Sequence, residues 1–110
     1  MATPKEVLEQ AKSAALKAAN EHNATLPPES QRGFDCGFAW VTVHPAKGEF
    51  VKWCKANNLG SKAYKGGWEF WYSHFSTNTQ SISVHEKAAS AFASVLKEHG
   101  LTAYAGSRLD

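Results

Sequence analysis

The chain has 110 residues, with 12 Lys plus Arg against 10 Asp plus Glu and a formal net charge of +2 at pH 7. This length fits one small domain, and the near balance of charge excludes a polybasic tail or a strongly cationic nucleic-acid binder while leaving room for a local basic patch. The four tryptophans, three tyrosines and six phenylalanines all lie between Phe34 and Tyr104. The core is therefore expected in that part of the chain.

The start of the sequence has no apolar run of the kind that a signal peptide contains, because lysines and glutamates interrupt it. No stretch approaches the ~20 apolar residues that a membrane-spanning helix needs. The two cysteines, Cys36 and Cys54, form no close-spaced pair, which favours reduced thiols. We expect a cytoplasmic protein without membrane association, metal or other cofactor.

The segment from Thr3 to Asn23 is predicted to be a helix. Thr3 can cap it, Pro4 suits the first helical position, and Glu6 completes a capping box. Its apolar stripe is mostly alanine, so this helix is expected to be an accessory element that packs closely on a neighbour.

A break follows at 23–32, where Pro27 and Pro28 cannot continue a helix. We therefore divide the chain into an N-terminal helix with a Pro-containing linker, 1–33, and an α+β domain, 34–110.

Within 34–110 the hydrophobic pattern predicts six elements in turn. Residues 37–44 alternate as a strand and Pro45 opens a helix to about Asn57. The aromatic segment 61–75, with Gly66-Gly67 as a bulge or tight turn, and the alternating segment 79–84 suggest a hairpin. A helix at 86–99 and a short strand at 101–105 complete the prediction.

Without the first helix, this order is β-α-β-β-α-β, the arrangement of a ferredoxin-like sandwich. An apparent internal repeat favours it, since VTVH at 41–44 returns as ISVH at 82–85, and AYKG at 63–66 returns as AYAG at 103–106. Chance similarity of short motifs is the alternative.

Two histidines end the two strands that this arrangement makes central. His44 and His85 are expected side by side at the carboxyl ends of parallel strands, each just before a helix. Such a pair could hold a phosphate or contribute to a metal site. Alternatively, each imidazole simply caps a helix or bonds across the sheet.

One face of the predicted sheet carries aromatic side chains. Strand parity places Phe38, Trp40, Thr42 and His44 opposite the helix-facing positions. Aromatics on an open sheet can stack bases of a single-stranded nucleic acid, with Lys62, Lys65 and Arg108 as nearby cations. The RNA-recognition string K/R-G-F/Y-G/A-F-V-x-F/Y is absent, and coverage by the N-terminal helix or by a second subunit in a homodimer is the alternative.

The loop at 62–68 is the most distinctive in the sequence. Its paired glycines allow close approach of a ligand and its lysines could contact phosphate, although it is not a Walker loop. A solvated hairpin explains it equally well. The candidate binding residues of this loop are Lys62, Tyr64, Gly66, Gly67 and Trp68.

No sequence pattern assigns a catalytic reaction. Cys36 or Cys54 with a histidine, oriented by Asp35, is the available nucleophile arrangement, but composition alone would produce it. The ending Gly106 to Asp110 is expected to be a solvated tail, and the alternative is that it pairs within a sheet edge or contacts a partner.

The CGFAWV of 36–41, the KAYKGGWEFW stretch and the ending AYAGSRLD resemble a group of small uncharacterised proteins encoded by bacteriophages and prophages. The resemblance covers 34–110 and implies a host-cytoplasmic setting and an accessory role. It implies no catalytic or binding residues.

The sequence as a whole predicts a small binding or regulatory protein without catalytic activity, which engages a macromolecular partner, a protein or a single-stranded nucleic acid, through its sheet face or the loop at 62–68. A dedicated single-stranded nucleic-acid-binding module is one alternative. A histidine-centred metal-dependent hydrolase or phosphate-binding enzyme is the alternative from another class.

Overall fold

The computed structural model describes residues 3–25, 37–76 and 82–109. Its elements, in chain order, are helix α1 (Pro4–Thr25), strand β1 (Gly37–His44), helix α2 (Glu49–Ala56), strands β2 (Ser61–Lys62) and β3 (Trp68–Trp71), a short 3₁₀ turn (Tyr72–His74), helix α3 (Ile82–Glu98) and strand β4 (Thr102–Leu109). The predicted linker, Cys36 and the segment 77–81 lie outside the described residues.

The strands form one antiparallel sheet in the order β2-β3-β1-β4. β1 is central, and it pairs with β3 from Trp40 to Val43 and with β4 along its whole length. The described residues thus form an α+β fold with three α-helices and a four-stranded sheet.

The predicted parity of β1 is confirmed by its burial pattern. Ala39, Val41 and Val43 are buried against the helices, while the alternate residues are partly or fully exposed. The same core cluster includes Phe70 of β3, Phe92 of α3 and buried residues of all three helices. Because one face of the sheet supplies this core, the described helices leave the opposite face open.

The N-terminal helix begins as the sequence predicts. The Thr3 hydroxyl accepts from the Glu6 amide at 3.2 Å, and the Glu6 carboxylate accepts from the Thr3 amide at 3.4 Å, which is a capping box. α1 packs mainly against α3, and the Gln10 side chain bonds His99 just beyond the end of α3 at 2.7 Å. Its buried alanines allow close approach, and they belong to the common core. The helix therefore lies in the helical layer, and the alternative in which it covers Phe38 and Trp40 is wrong.

The strand predicted at 79–84 is wrong wherever the structure describes it, because 82–84 form the first turn of α3. Ile82 and Val84 are both buried, which satisfies strand alternation, but the buried positions continue through His85, Ala88 and Ala89 at helical spacing. The short alternation was the start of a helix. The predicted hairpin is instead β2–β3, with the turn at 63–67.

The internal repeat is likewise wrong as a structural repeat. Residues 41–44 are strand and 82–85 are helix, while 63–66 form a turn and 103–106 are strand. The similar four-residue sequences adopt different backbone conformations. Their similarity therefore reflects amino-acid composition and not a repeated structural unit.

Two boundaries differ from the prediction. α2 begins at Glu49 and not at Pro45, because Gly48 has φ 104°, outside the helical region. β4 extends to Leu109, since the predicted tail pairs with β1, including Phe38 with Arg108 and Trp40 with Gly106. These pairings bring the C-terminal residues onto the open sheet face.

Candidate functional site

A groove of about 790 Å³ lies on the sheet face that the helices leave open. It runs across all four strands and under the β2–β3 turn. Its lining residues are Trp40, Thr42, His44, Ser61, Lys62, Ala63, Tyr64, Lys65, Gly66, Glu69, Trp71, Tyr104 and Arg108.

Strand register creates the aromatic part of the groove. Trp40 of β1 and Trp71 of β3 are direct cross-strand partners, so their rings meet with centroids 5.6 Å apart and planes inclined by 51°. Tyr104 is the cross-strand partner of Thr42 on β4, and its ring is 56% exposed. Its edge meets the His44 imidazole at 5.7 Å. Three planar side chains from three strands therefore share one surface.

Gly106 determines how Trp40 lies. It is the cross-strand partner of Trp40, and a Cβ at this position would stand 2.6 Å from indole atoms of Trp40. The indole therefore packs on bare backbone, which only glycine permits at that distance.

The Phe38–Arg108 pair lies beside the groove. The Arg108 guanidinium lies over the Phe38 ring, 5.7 Å from its centroid. Phe38 also meets the edge of Trp71 at 6.1 Å. Stacking fixes the place of this cation without neutralising it, because Arg108 makes no ion pair within the described residues.

The β2–β3 turn forms the rim at the other end. Ala63 donates its amide to Gly67 O at 3.0 Å, and Gly66 donates to Ala63 O at 3.2 Å. Gly67 has φ 90°, and a Cβ there would stand 2.8 Å from Val43 O, so this turn packs directly on β1. The Tyr64 side chain is 97% exposed. The turn thus presents an unpacked aromatic ring beside two lysines, Lys62 and Lys65.

The charges of the groove are mainly positive. Lys62, Lys65 and Arg108 contribute three cations, against Glu69 as the one carboxylate among the described lining residues. A groove with this balance favours an anionic ligand or polyanion.

The structure brings most of the predicted binding residues together. Of these, Trp40, His44, Lys62, Tyr64, Gly66 and Arg108 line the groove, and Phe38 adjoins it through Trp71. Gly67 acts through backbone packing. Trp68 lies elsewhere: its indole donates to Leu59 O at 2.8 Å, and its ring packs beneath Lys55 on the helical side.

His85 does not join His44, and the predicted pair of adjacent strand ends is wrong. His85 lies in α3, fully buried, stacked on Tyr72 at 4.2 Å and hydrogen-bonded through Nδ1 to the Ser76 hydroxyl at 2.7 Å. Moreover, the neighbours of β1 are antiparallel to it. Within the described ranges no group of three or more His, Cys, Asp or Glu side chains could hold a metal ion.

Cys54 is buried in α2, and this burial raises the pKa of its thiol to about 12. A thiol held protonated in this way is a poor nucleophile. Cys54 is therefore a core residue.

Sequence reasoning missed Glu69, Trp71 and Tyr104, which also line the groove. The register between β1 and β3 places Trp71 and Glu69 on the same sheet face as Trp40. The sequence alone does not give this register, so it could not assign these two residues to the groove. Tyr104 lies within the predicted strand at 101–105, but only its pairing with Thr42 of β1 places its side chain on the face of Trp40.

Comparisons with models of protein families, with curated proteins and with solved structures found no match to the chain. No helix in the described part of the chain is long and apolar enough to cross a bilayer. The groove is therefore interpreted from its own chemistry.

Proposed function

We propose that this protein is a binding module, without catalytic activity of its own, that takes a single strand of nucleic acid into the groove on its open sheet face. The observation that carries the proposal is the Trp40–Trp71–Tyr104 surface flanked by Lys62, Lys65 and Arg108. Single-strand binders use this combination: bases stack on aromatic rings and cations follow the phosphates.

The exposure of the rings supports stacking with a ligand. Trp71 and Tyr104 are 36% and 56% exposed, a large area for aromatic rings to leave in water. Both lie on strands, whose backbone holds them at fixed positions. A base stacked on such a ring contributes ~1–3 kcal/mol to binding.

The charge pattern supports a polyanion over an apolar or cationic partner. Lys62 at the end of β2 and Lys65 in the β2–β3 turn lie at one end of the groove, and Arg108 lies towards the other end, where it pairs with Phe38 near the start of β1. A backbone crossing the aromatic surface would meet a cation on either side. A second copy of this chain would bring the same cations against one another, which opposes a dimer through this face.

We also infer that residues 37–109 are a ferredoxin-like sandwich. The element order after α1 is β-α-β-β-α-β, and β3 lies between β1 and β2. Antiparallel pairing of every neighbouring strand supports this classification. Open aromatic sheet faces on such a sandwich are a known way to bind RNA.

The experiment is fluorescence anisotropy of labelled eight-nucleotide strands, of RNA and of DNA, titrated with the protein at low salt. We expect saturable binding that weakens about 5- to 150-fold in Trp71→Ala and in Tyr104→Ala. Leu16→Ala, which removes an exposed apolar side chain of α1, is the matched control and should bind as the wild type does.

Absence of binding to every strand at low salt would contradict the proposal. Sedimentation at two concentrations is run beside it. A concentration-dependent dimer abolished by Trp71→Ala would assign the sheet face to a second copy instead.

A further inference from the structure

Glu69 is the unexpected residue of the groove. It lies on β3 with Thr42 of β1 as its cross-strand partner on one side and Ser61 of β2 on the other, and it is partly buried. Within the described residues its carboxylate makes no hydrogen bond or ion pair. A carboxylate here repels phosphate and lowers the affinity for an arbitrary strand. A residue that lowers the affinity for most ligands in this way is typical of a site that discriminates between ligands.

The Glu69 carboxylate lies next to the stacking surface. Trp71 follows two residues later on the same strand and the same face, which places the two side chains roughly 7 Å apart along β3. Trp40 adjoins Trp71 at 5.6 Å. A base lying on the Trp40–Trp71 pair therefore has Glu69 beside one of its edges.

We propose that Glu69 makes this groove selective for guanine, an inference that rests on the proposed binding of a single strand. An ionised carboxylate only accepts hydrogen bonds, through two oxygens side by side. Guanine offers two adjacent donors on its Watson–Crick edge, the ring N1–H and the exocyclic amino group, and so matches both oxygens.

The other bases do not match this pattern. On the same edge, adenine and cytosine place a ring-nitrogen acceptor beside their amino group, and uracil or thymine places its one N–H between two carbonyls. Each of these acceptors would face a carboxylate oxygen and repel it. A hydrogen bond to this partly buried carboxylate discriminates between bases because a mismatched base leaves the charge unpaired.

The hydroxyls beside Glu69 complete the match. Register places Ser61 and Thr42 on the same sheet face, one on each side of Glu69. A hydroxyl can donate to the carboxylate or to the guanine carbonyl. These residues are positioning residues in the recognition of the base.

The test uses eight-nucleotide oligouridine strands that carry one central guanine, inosine, adenine or cytosine, in ribo and deoxy forms, with anisotropy as the readout. We expect the guanine strand to bind roughly 5- to 150-fold more tightly than the adenine strand. Inosine keeps N1–H and lacks the amino group, so its affinity should lie between them.

Glu69→Gln is the decisive variant. An amide presents one donor and one acceptor and carries no charge, so we expect the preference for guanine to disappear while the adenine and cytosine strands bind more tightly than they bind the wild type. Glu9→Gln, an exposed glutamate on α1, is the matched control and should keep the wild-type preference. Should Glu69→Gln fail to fold, Glu69→Asp shortens the side chain by one methylene and should reduce the preference.

The two proposals fail in different ways. The same order of base preference in the wild type and in Glu69→Gln would overturn the role of Glu69 and leave strand binding intact. No binding of any strand would overturn the proposed function. Binding of a trimethyl-lysine peptide, lost in Glu69→Gln and unaccompanied by strand binding, would assign the carboxylate and aromatic rings to a cation and overturn both.

Discussion

The indole of Trp40 lies on the backbone of Gly106, its cross-strand partner, so closely that a methyl group at residue 106 would stand 2.6 Å from the ring. The absence of a side chain on β4 thus sets the position of an aromatic ring on β1. The floor of the groove depends on this contact.

Gly106→Ala should therefore move Trp40 and destabilise the sheet. Overpacking of this kind costs about 1–3 kcal/mol in the free energy of unfolding, measured by urea denaturation. In a Trp40→Ala background the clash is gone, so the same substitution should cost clearly less. Equal costs in the two backgrounds would show that the ring and the glycine are not coupled.

Strand binding should depend on salt through the three cations of the groove. Each phosphate contact contributes roughly 0.7 to the slope of log K against log [salt] for a single strand. Lys65→Ala and Arg108→Ala should each reduce the slope by about that amount, measured by anisotropy from low to moderate salt. Lys17→Ala, an exposed lysine on α1, should leave the slope unchanged. An unchanged slope in both Lys65→Ala and Arg108→Ala would place the phosphates elsewhere.

The stability of the fold should fall at mildly acidic pH because of His74. Burial lowers the pKa of His74 from its ordinary 6.5, and the positive charge of Lys12 lowers it further. Below pH 6.5 the unfolded chain binds a proton at this position before the folded chain does. The contribution to stability is therefore complete above about pH 6.5 and is lost as the pH falls through the folded-state value.

NMR titration of the His74 ring measures this pKa directly. Lys12→Gln removes the positive charge that also lowers the pKa of His74, so the titration midpoint of this ring should shift upward, towards 6.5. In urea denaturation at pH 7.5 and 5.5, His74→Gln should lose less stability on acidification than the wild type. A midpoint of 6.5 or above in the wild type would contradict the prediction.

The Cys54 thiol should be unreactive while the protein is folded. With a pKa of about 12, the thiolate fraction at pH 8 is on the order of one part in 10,000. In a Cys36→Ser background, a disulfide-exchange reagent should modify Cys54 slowly in buffer and rapidly in denaturant. Modification in buffer at the rate of a free peptide thiol would show that Cys54 is accessible.

The sequence predicts the elements that depend on local chemistry. The Thr3–Glu6 capping box and the alternation of β1 are both local, and both are confirmed. The alternation also placed Trp40 and His44 correctly on the face away from the core. Side-chain periodicity over eight residues was sufficient for this.

Features that depend on distant pairing were not predictable in the same way. Buried residues at Ile82 and Val84 fit either a strand or the first turn of α3. A segment of three or four residues is too short to distinguish the two-residue period of a strand from the 3.6-residue period of a helix. Gly106 and Arg108 resembled a polar tail, because only pairing with β1 makes them a strand. Glu69 entered the groove through register, and register is set by the fold as a whole.

The inclined pair of indoles also gives the molecule an optical property. Two such chromophores 5.6 Å apart share their excited states, so Trp40 and Trp71 should produce a coupled signal in circular dichroism that neither ring gives alone. A ligand that slips between or onto the rings would alter that signal without any label. The groove thus contains its own spectroscopic reporter of occupancy.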